Sequence, residues 1–414
     1  MTETRRDGDT IEIVRLGGEG DGVAEGPDGA VFVPRAVPGE RVASDADGSW
    51  RVVGGTSVSR RETVLCPHFP ACGGCTVQHL GEDLYRSWKA DLLTTAFARQ
   101  GLSAAIEPMV SVPIGSRRRA TLTGRHTATG FVFGFHGPKS HDLVPITQCA
   151  VLAPTIVSAL GLLRDIAMRA APRPDGEARV SVLVAREGLD VTVSAGRRAE
   201  RLLFADLARI VATAPIARVT LNGEPAVQRA TPTIGLSGVD VAPPPAAFLQ
   251  AVAEAEAAIT TVILETLPKK TKHVADLFAG LGTFSFALAG RAQVQAYDSD
   301  RILIEALAQA ARGASGLKPI ATTVRDLFRD PLSPNELARF DAVVFDPPRA
   351  GAKGQAEAIA RSKVRRVVAV SCNPATLARD VAILVAGGLA IERVVPIDQF
   401  LYTPHLEAVV ILGR

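Results

Sequence analysis

Cysteine is scarce in this chain: five among 414 residues, at Cys66, Cys72, Cys75, Cys149 and Cys372. An odd total at such uneven spacing does not make a disulfide framework. Long hydrophobic runs are missing as well. No uninterrupted apolar stretch approaches the roughly 18 residues a membrane span needs, so no membrane partner is expected. The opening residues, Met1 to Asp7, are polar and charged, without the apolar centre of a secretory signal. The expectation is a cytoplasmic protein, in a compartment where structural disulfides are rare. Strong charge of one sign is also absent, since 46 Lys and Arg face 43 Asp and Glu for a net +3. That balance permits a polyanionic partner without demanding one, and local basic clusters must carry the case.

What is present is a chain that is 47% apolar, long enough for two or three domains. From Thr10 to about Val58, short alternating runs such as Ile11-Glu12-Ile13-Val14 and Ala30-Val31-Phe32-Val33 are broken by glycine turns. Short strands at this spacing predict a small β-barrel, a module that binds nucleic acid or simply packs. Next, Cys66, Cys72 and Cys75 crowd into Cys66-Pro67-His68-Phe69-Pro70-Ala71-Cys72-Gly73-Gly74-Cys75, with Cys149 returning later. Thiolates are soft ligands, and four of them suit either zinc or an iron–sulfur cluster. His68 reads as structural, because four cysteines already complete a set. Leu84 to Leu102 has the pattern of an amphipathic helix. Arg117-Arg118-Arg119 then enters a β-like run, where guanidinium groups can neutralise phosphates or stack on splayed bases. Between Val151 and Val241 helices and strands alternate without an obvious chemical group, and Val241-Ala242-Pro243-Pro244-Pro245 is the clearest boundary.

Beyond Phe248 the pattern becomes strand, turn, helix, repeated, which implies a doubly wound parallel sheet. Val274-Ala275-Asp276-Leu277-Phe278-Ala279-Gly280-Leu281-Gly282-Thr283 is an apolar strand feeding a glycine turn, and a second strand ends at Asp298. Such a turn admits a nucleotide-like ligand close to the backbone, and the following acid can hold ribose hydroxyls. The third glycine of a dinucleotide fingerprint is absent, which suits S-adenosylmethionine, a ligand without pyrophosphate. Asp346 ends another strand in Phe345-Asp346-Pro347-Pro348-Arg349, where its carboxylate can accept from a ring N–H of a base. Cys372 ends the run Val367-Val368-Ala369-Val370-Ser371 ahead of a proline turn, the edge at which open α/β sheets place their chemistry. A buried structural thiol is the alternative there. Glu407 opens the terminal run Ala408-Val409-Val410-Ile411-Leu412, where an acid in apolar surroundings can exchange protons.

CPHFPACGGC with Cys149, DPPRAG, SCNPATLARD and TPHLEAVV together resemble the bacterial RNA uracil-C5 methyltransferases of the ribosomal type, over essentially the whole chain. The resemblance implies three domains: a TRAM-like RNA-binding β-barrel over 1–60, an α+β central domain with a four-cysteine site over 61–243, and a Rossmann-like methyltransferase domain over 244–414. It implies a [4Fe–4S] cluster on Cys66, Cys72, Cys75 and Cys149. It further implies S-adenosylmethionine contacts at Gln250, Phe278, Thr283, Asp298, Asp326 and Asp346, with Cys372 as nucleophile and Glu407 as base. The implied partner is RNA, 23S ribosomal RNA foremost, acted on by a monomer. The same chemistry on transfer RNA is one alternative, and a non-catalytic RNA-binding or assembly protein is another. The chain departs from the family at Ala279, where cysteine is common, at Thr283, where asparagine is, and at Val252.

Overall fold

The computed structural model describes residues 10–26, 29–45, 47–55, 59–61, 63–196 and 201–414. The polar opening Met1 to Asp7 and residues 56–58 at the end of the expected barrel lie outside the described residues. Within 10–54 the chain is β-rich. Thr10–Glu12, Arg41–Ser44 and Trp50–Gly54 form one antiparallel sheet, and Arg15–Leu16, Gly22–Gly26 and Gly29–Val33 form another. The alternation read from the sequence explains both, since Ile13, Ala24, Val33 and Val42 turn inward into one small core.

The central part is built on a seven-stranded sheet whose longest strands are Arg119–Thr127, Glu177–Ala185 and Gly188–Ala195. Helices Leu160–Ala170 and Arg201–Val211 pack on it, burying Leu163, Ile166, Leu203 and Leu207 against Leu122, Val180 and Val191. Each such fully buried aliphatic side chain contributes about 1.5–3 kcal/mol relative to exposure.

The C-terminal sheet positions the site. Five parallel strands run in the order Ile320–Val324, Gln293–Asp298, His273–Leu277, Ala342–Phe345, Arg366–Ser371. Glu407–Gly413 and Ala390–Asp398 then continue the sheet antiparallel. The β-branched composition of Val367-Val368-Ala369-Val370 suits a strand buried on both faces, and all four residues are fully buried. Because the parallel strands share a direction, Leu277, Asp298, Phe345 and Ser371 all finish at one edge. The antiparallel neighbour begins at that edge: its register sets Ala408 opposite Ser371, so Glu407 and Cys372 flank the same end.

The sheet closes with a strand from far earlier in the chain, Val110–Ser111, paired parallel to Ala390–Asp398. Helix Glu82–Arg99 also joins this unit, burying Leu93, Ala96 and Phe97 among Leu377, Val381 and Leu384. The helix is pinned by a buried ion pair. Lys89 Nζ, 0% exposed, donates to Asp398 Oδ1 at 2.8 Å, to Phe400 O at 3.1 Å and to His405 O. Tyr85 donates its hydroxyl to the other Asp398 oxygen. Removing one member of a buried pair strands the other charge, so Lys89→Met is expected to cost about 3–5 kcal/mol in urea unfolding. A loss under about 1 kcal/mol would place the pair outside the load of the fold.

Candidate active site and thiol cluster

One cavity of about 1140 Å³ opens at the strand-end edge and reaches across to the seven-stranded sheet. Its first wall is the glycine turn. Phe278 and Gly280 take positive φ angles of 63° and 54°, which reverses the chain directly after the strand His273–Leu277. Gly282, at φ 90°, leaves no room for a side chain, since a Cβ there would lie 2.9 Å from Leu307 and Phe286. Asp298 braces the turn: its Oδ2 accepts the Gly280 N–H at 2.9 Å while Oδ1 accepts Asp300 N–H at 2.9 Å. Beneath it, the Ser285 hydroxyl donates to buried Asp276 at 2.5 Å, and burial raises that carboxyl to about 7. Phe278, Thr283 and Asp298 all line the cavity, as does Phe328, whose ring centroid is 5.4 Å from that of Phe278. Asp326 falls outside the lining. Its Oδ1 instead accepts the Phe328 N–H at 3.0 Å, so it shapes the turn that presents Phe328.

The second wall carries Gln250, Asp346, Cys372 and Glu407. Cys372 sits between the strand Arg366–Ser371 and the helix Pro374–Ala386, whose N-cap Asn373 accepts the Ala375 N–H at 3.1 Å. Asn373 Nδ2 and Thr376 Oγ1 also donate to Arg349 O, at 3.0 and 3.2 Å, tying the cysteine turn to the Asp-Pro-Pro-Arg loop. Burial pushes the Cys372 thiol up to about 11, and the charges of Glu407 and Asp346 push the same way, against Arg349. Burial likewise raises Asp346 to about 7, against a hydrogen bond from Gln250 Nε2 at 2.8 Å. Glu407, 2% exposed, is raised well above the carboxylate range by burial and by Asp346. Two facing carboxylates in a dry site cannot both ionise easily, which adds to the effect of burial on Glu407. Glu407 Oε1 is buried and has no hydrogen-bond partner among the described residues.

The third wall holds the thiols of Cys66, Cys72, Cys75 and Cys149. His68 Nε2 accepts the Thr147 N–H at 3.1 Å, which draws the Cys149 segment onto the first three cysteines and occupies that ring nitrogen. Gly73 is packed on the hairpin opposite: a Cβ there would meet His136 O at 2.7 Å. Burial raises Cys72, Cys75 and Cys149, Cys75 to about 12, and the thiols' mutual charge adds to it. Four thiols gathered so that each feels the others are a donor set that a positive inorganic centre would discharge. Among the described residues, no three His, Cys, Asp or Glu side chains are grouped tightly enough to hold a metal ion.

The arginine run divides. Arg117 and Arg119 line the cavity, Arg119 with its guanidinium 4.3 Å from the Phe248 ring and pushed down to about 10 by burial. Arg118 is spent inside the protein, donating to Glu256 at 2.6 Å and to Gln250 O at 3.1 Å. Sequence reasoning passed over Gln399, a 1% exposed amide that donates to both Gln250 and Glu407. An uncharged polar residue next to Asp398, in an otherwise apolar approach to the last strand, was the available signal.

A doubly wound sheet with a strained glycine turn, a strand-end acid and reactive groups at one edge defines an S-adenosylmethionine-dependent methyltransferase. Residues 242–414 match the family model described as tRNA (uracil-5-)-methyltransferase. An RNA methyltransferase of Agrobacterium fabrum, itself uncharacterised, is 42% identical over 98% of this chain and 99% of its own. The 23S rRNA (uracil(1939)-C(5))-methyltransferase RlmD of Chromohalobacter salexigens is 35% identical over 99% of this chain and 91% of its own. The crystal structure of Pyrococcus abyssi tRNA (uracil-54, C5)-methyltransferase with S-adenosyl-L-homocysteine shares the fold, with a TM-score of 0.73 at 24% identity, covering 98% of this chain and 100% of that one. The chain belongs to the RNA uracil-C5 methyltransferase family. Among the described residues, no helix is long and apolar enough to cross a membrane.

Proposed function

We propose that this enzyme methylates C5 of a uridine in 23S ribosomal RNA through a covalent adduct between Cys372 and C6 of the base. The observation that carries the reading is that Cys372, Asp346 and Glu407 share one cavity with the glycine turn. C5 of uracil is a weak nucleophile. Once the Cys372 thiol has lost its proton to solvent, the thiolate bonds to C6 and the C5–C6 π electrons move toward O4, making C5 enolate-like. C5 then attacks the methyl carbon of S-adenosylmethionine; the sulfonium–methyl bond breaks and S-adenosylhomocysteine leaves. Glu407 takes the C5 proton, the C5–C6 double bond re-forms and the cysteine sulfur is expelled. Asp346 accepts from N3–H and orients the ring. The helix N-terminus after Cys372 favours negative charge on sulfur. Asp346 and Glu407 oppose that charge.

The target base must leave its stack to reach this edge. Arg117 and Arg119 at the cavity, and the N-terminal β-rich region that reaches it through Glu19, would grip the RNA. Support for a ribosomal substrate comes from the near full-length match to the 23S enzyme. Incubation with 23S and transfer RNA transcripts and labelled S-adenosylmethionine tests the reading. Labelled 5-methyluridine is expected in the 23S transcript; label confined to transfer RNA would redirect it.

Cys66, Cys72, Cys75 and Cys149, four thiols that influence one another across one wall without the tight grouping of a single-ion site, would hold a [4Fe–4S] cluster, which needs one thiolate for each iron. Such a cluster would supply a rigid, charged brace for the RNA-facing loops, and no step of methyl transfer requires it. Anaerobically purified protein is expected to be brown with about four irons per chain. Colourless protein with one zinc would contradict the assignment.

A further inference from the structure

Gln250, Gln399, Asp346 and Glu407 form one hydrogen-bond chain, and a single backbone group sets its direction. The Ala251 N–H donates to Gln399 Oε1 at 3.0 Å. With that oxygen committed, Gln399 Nε2 donates to Gln250 Oε1 at 2.7 Å and to Glu407 Oε2 at 2.6 Å. Gln250 Oε1 is thereby taken, so the Gln250 NH2 group faces Asp346 and donates to it at 2.8 Å. A backbone N–H cannot be flipped, which removes the usual ambiguity of amide orientation. Reversing Gln399 would press its carbonyl oxygen against both the Glu407 carboxylate and the Gln250 carbonyl, leaving a buried N–H pair facing the Ala251 donor.

We propose that Gln399 is a positioning residue for the reaction: it turns the Gln250 amide donor-outward toward the base and holds Glu407 with Oε1 free for the C5 proton. The proposal rests on the roles given above to Cys372 and Glu407 and adds how they are set. Oriented this way, the site offers an NH2 donor from Gln250 beside the Asp346 acceptor. Uracil presents the complement, an O4 acceptor next to an N3–H donor. Cytosine presents an amino donor and a bare N3 at the same places, so the fixed amide also rejects it. The unpartnered Glu407 Oε1 is the atom left for the proton.

The groups facing Glu407 are Asp346 from the strand end on the far side of Arg366–Ser371, Cys372 from the turn beyond Ser371, and Gln399 from its own loop; Arg349 and His405 line the same cavity. The Gln399 hydrogen bond holds Glu407 down against burial and Asp346. Its removal therefore raises Glu407 further, and the acid limb of the kcat profile moves to higher pH.

Gln399→Met keeps the volume and removes the amide. With melting and RNA KM close to the parent, kcat is expected to fall roughly tenfold to a hundredfold. The acid limb should shift upward, and the fraction of RNA caught as adduct on a denaturing gel should rise. A merely structural role would move none of the last two. Parental kcat with an unshifted profile would overturn the proposal. Should Gln399→Met fail to fold, Gln399→Glu supplies the test, because an acid of the same size donates only when protonated. Its activity relative to the parent should rise as pH falls, and a pH-independent ratio would overturn the proposal. Cys372→Ala run in parallel separates the two levels. Turnover in that variant would sink the nucleophile assignment, whereas an inert Cys372→Ala beside an unaffected Gln399→Met would sink only the role of Gln399.

Discussion

Cys372→Ala is expected to lower methyl transfer by roughly 10⁴-fold or more, while RNA binding stays within about threefold of the parent. The size follows from what the sulfur does. Without addition at C6, C5 remains part of a conjugated ring and has no electron pair to offer the sulfonium methyl. Binding should survive because the side chain is small, its strand and helix are set by neighbours, and the Asn373 cap and the Arg349 ties are backbone and amide contacts that alanine leaves intact. Filter binding and single-turnover transfer on the same RNA check both halves. The thiol is raised to about 11 by burial and the nearby carboxylates, so transfer by the parent should quicken with rising pH through the neutral range. That slope should be missing from any residual activity of the alanine variant.

Glu407→Gln should slow turnover by roughly 10²- to 10⁴-fold and leave a methylated RNA joined to the protein. The substitution preserves shape, and the new amide can still accept from Gln399 Nε2, which now donates to Glu407 Oε2 at 2.6 Å. Addition and methyl transfer do not need the base; release does. The adduct should therefore appear as a slower band on a denaturing gel, dependent on S-adenosylmethionine. Full turnover without a band would assign proton removal elsewhere, with Asp346 the nearest carboxylate.

Much of this site was legible in the sequence because parallel strands write their ends plainly. Val367–Ser371 and Ala342–Phe345 are apolar runs, and a lone cysteine or acid directly after each is conspicuous. Gly280 and Gly282 likewise mark a turn that demands positive φ. Pairing was less legible. The strand Val110–Ser111 is too short for any period to register, yet it closes the C-terminal sheet from the segment between the thiols and the arginine run. The helix Glu82–Arg99 was visible, but its anchor, Lys89 on Asp398, joins residues 309 positions apart. Arg118 looked equivalent to its neighbours; only the fold separates it, by supplying Glu256. Asp326, expected as a cofactor contact, also has a local role that the sequence does not reveal: its carboxylate accepts the Phe328 N–H in its own turn. Gln399 was hidden because an amide carries no charge to draw notice, and its importance comes from three partners distant in the chain or across a strand.

The covalent step is the centre of the account, and mass spectrometry of the Glu407→Gln adduct tests it most directly. After digestion with trypsin and nuclease, the account predicts a single modified peptide carrying a methylated uridine on Cys372. Attachment to any other residue, or methylated RNA released with no attachment at all, would contradict it.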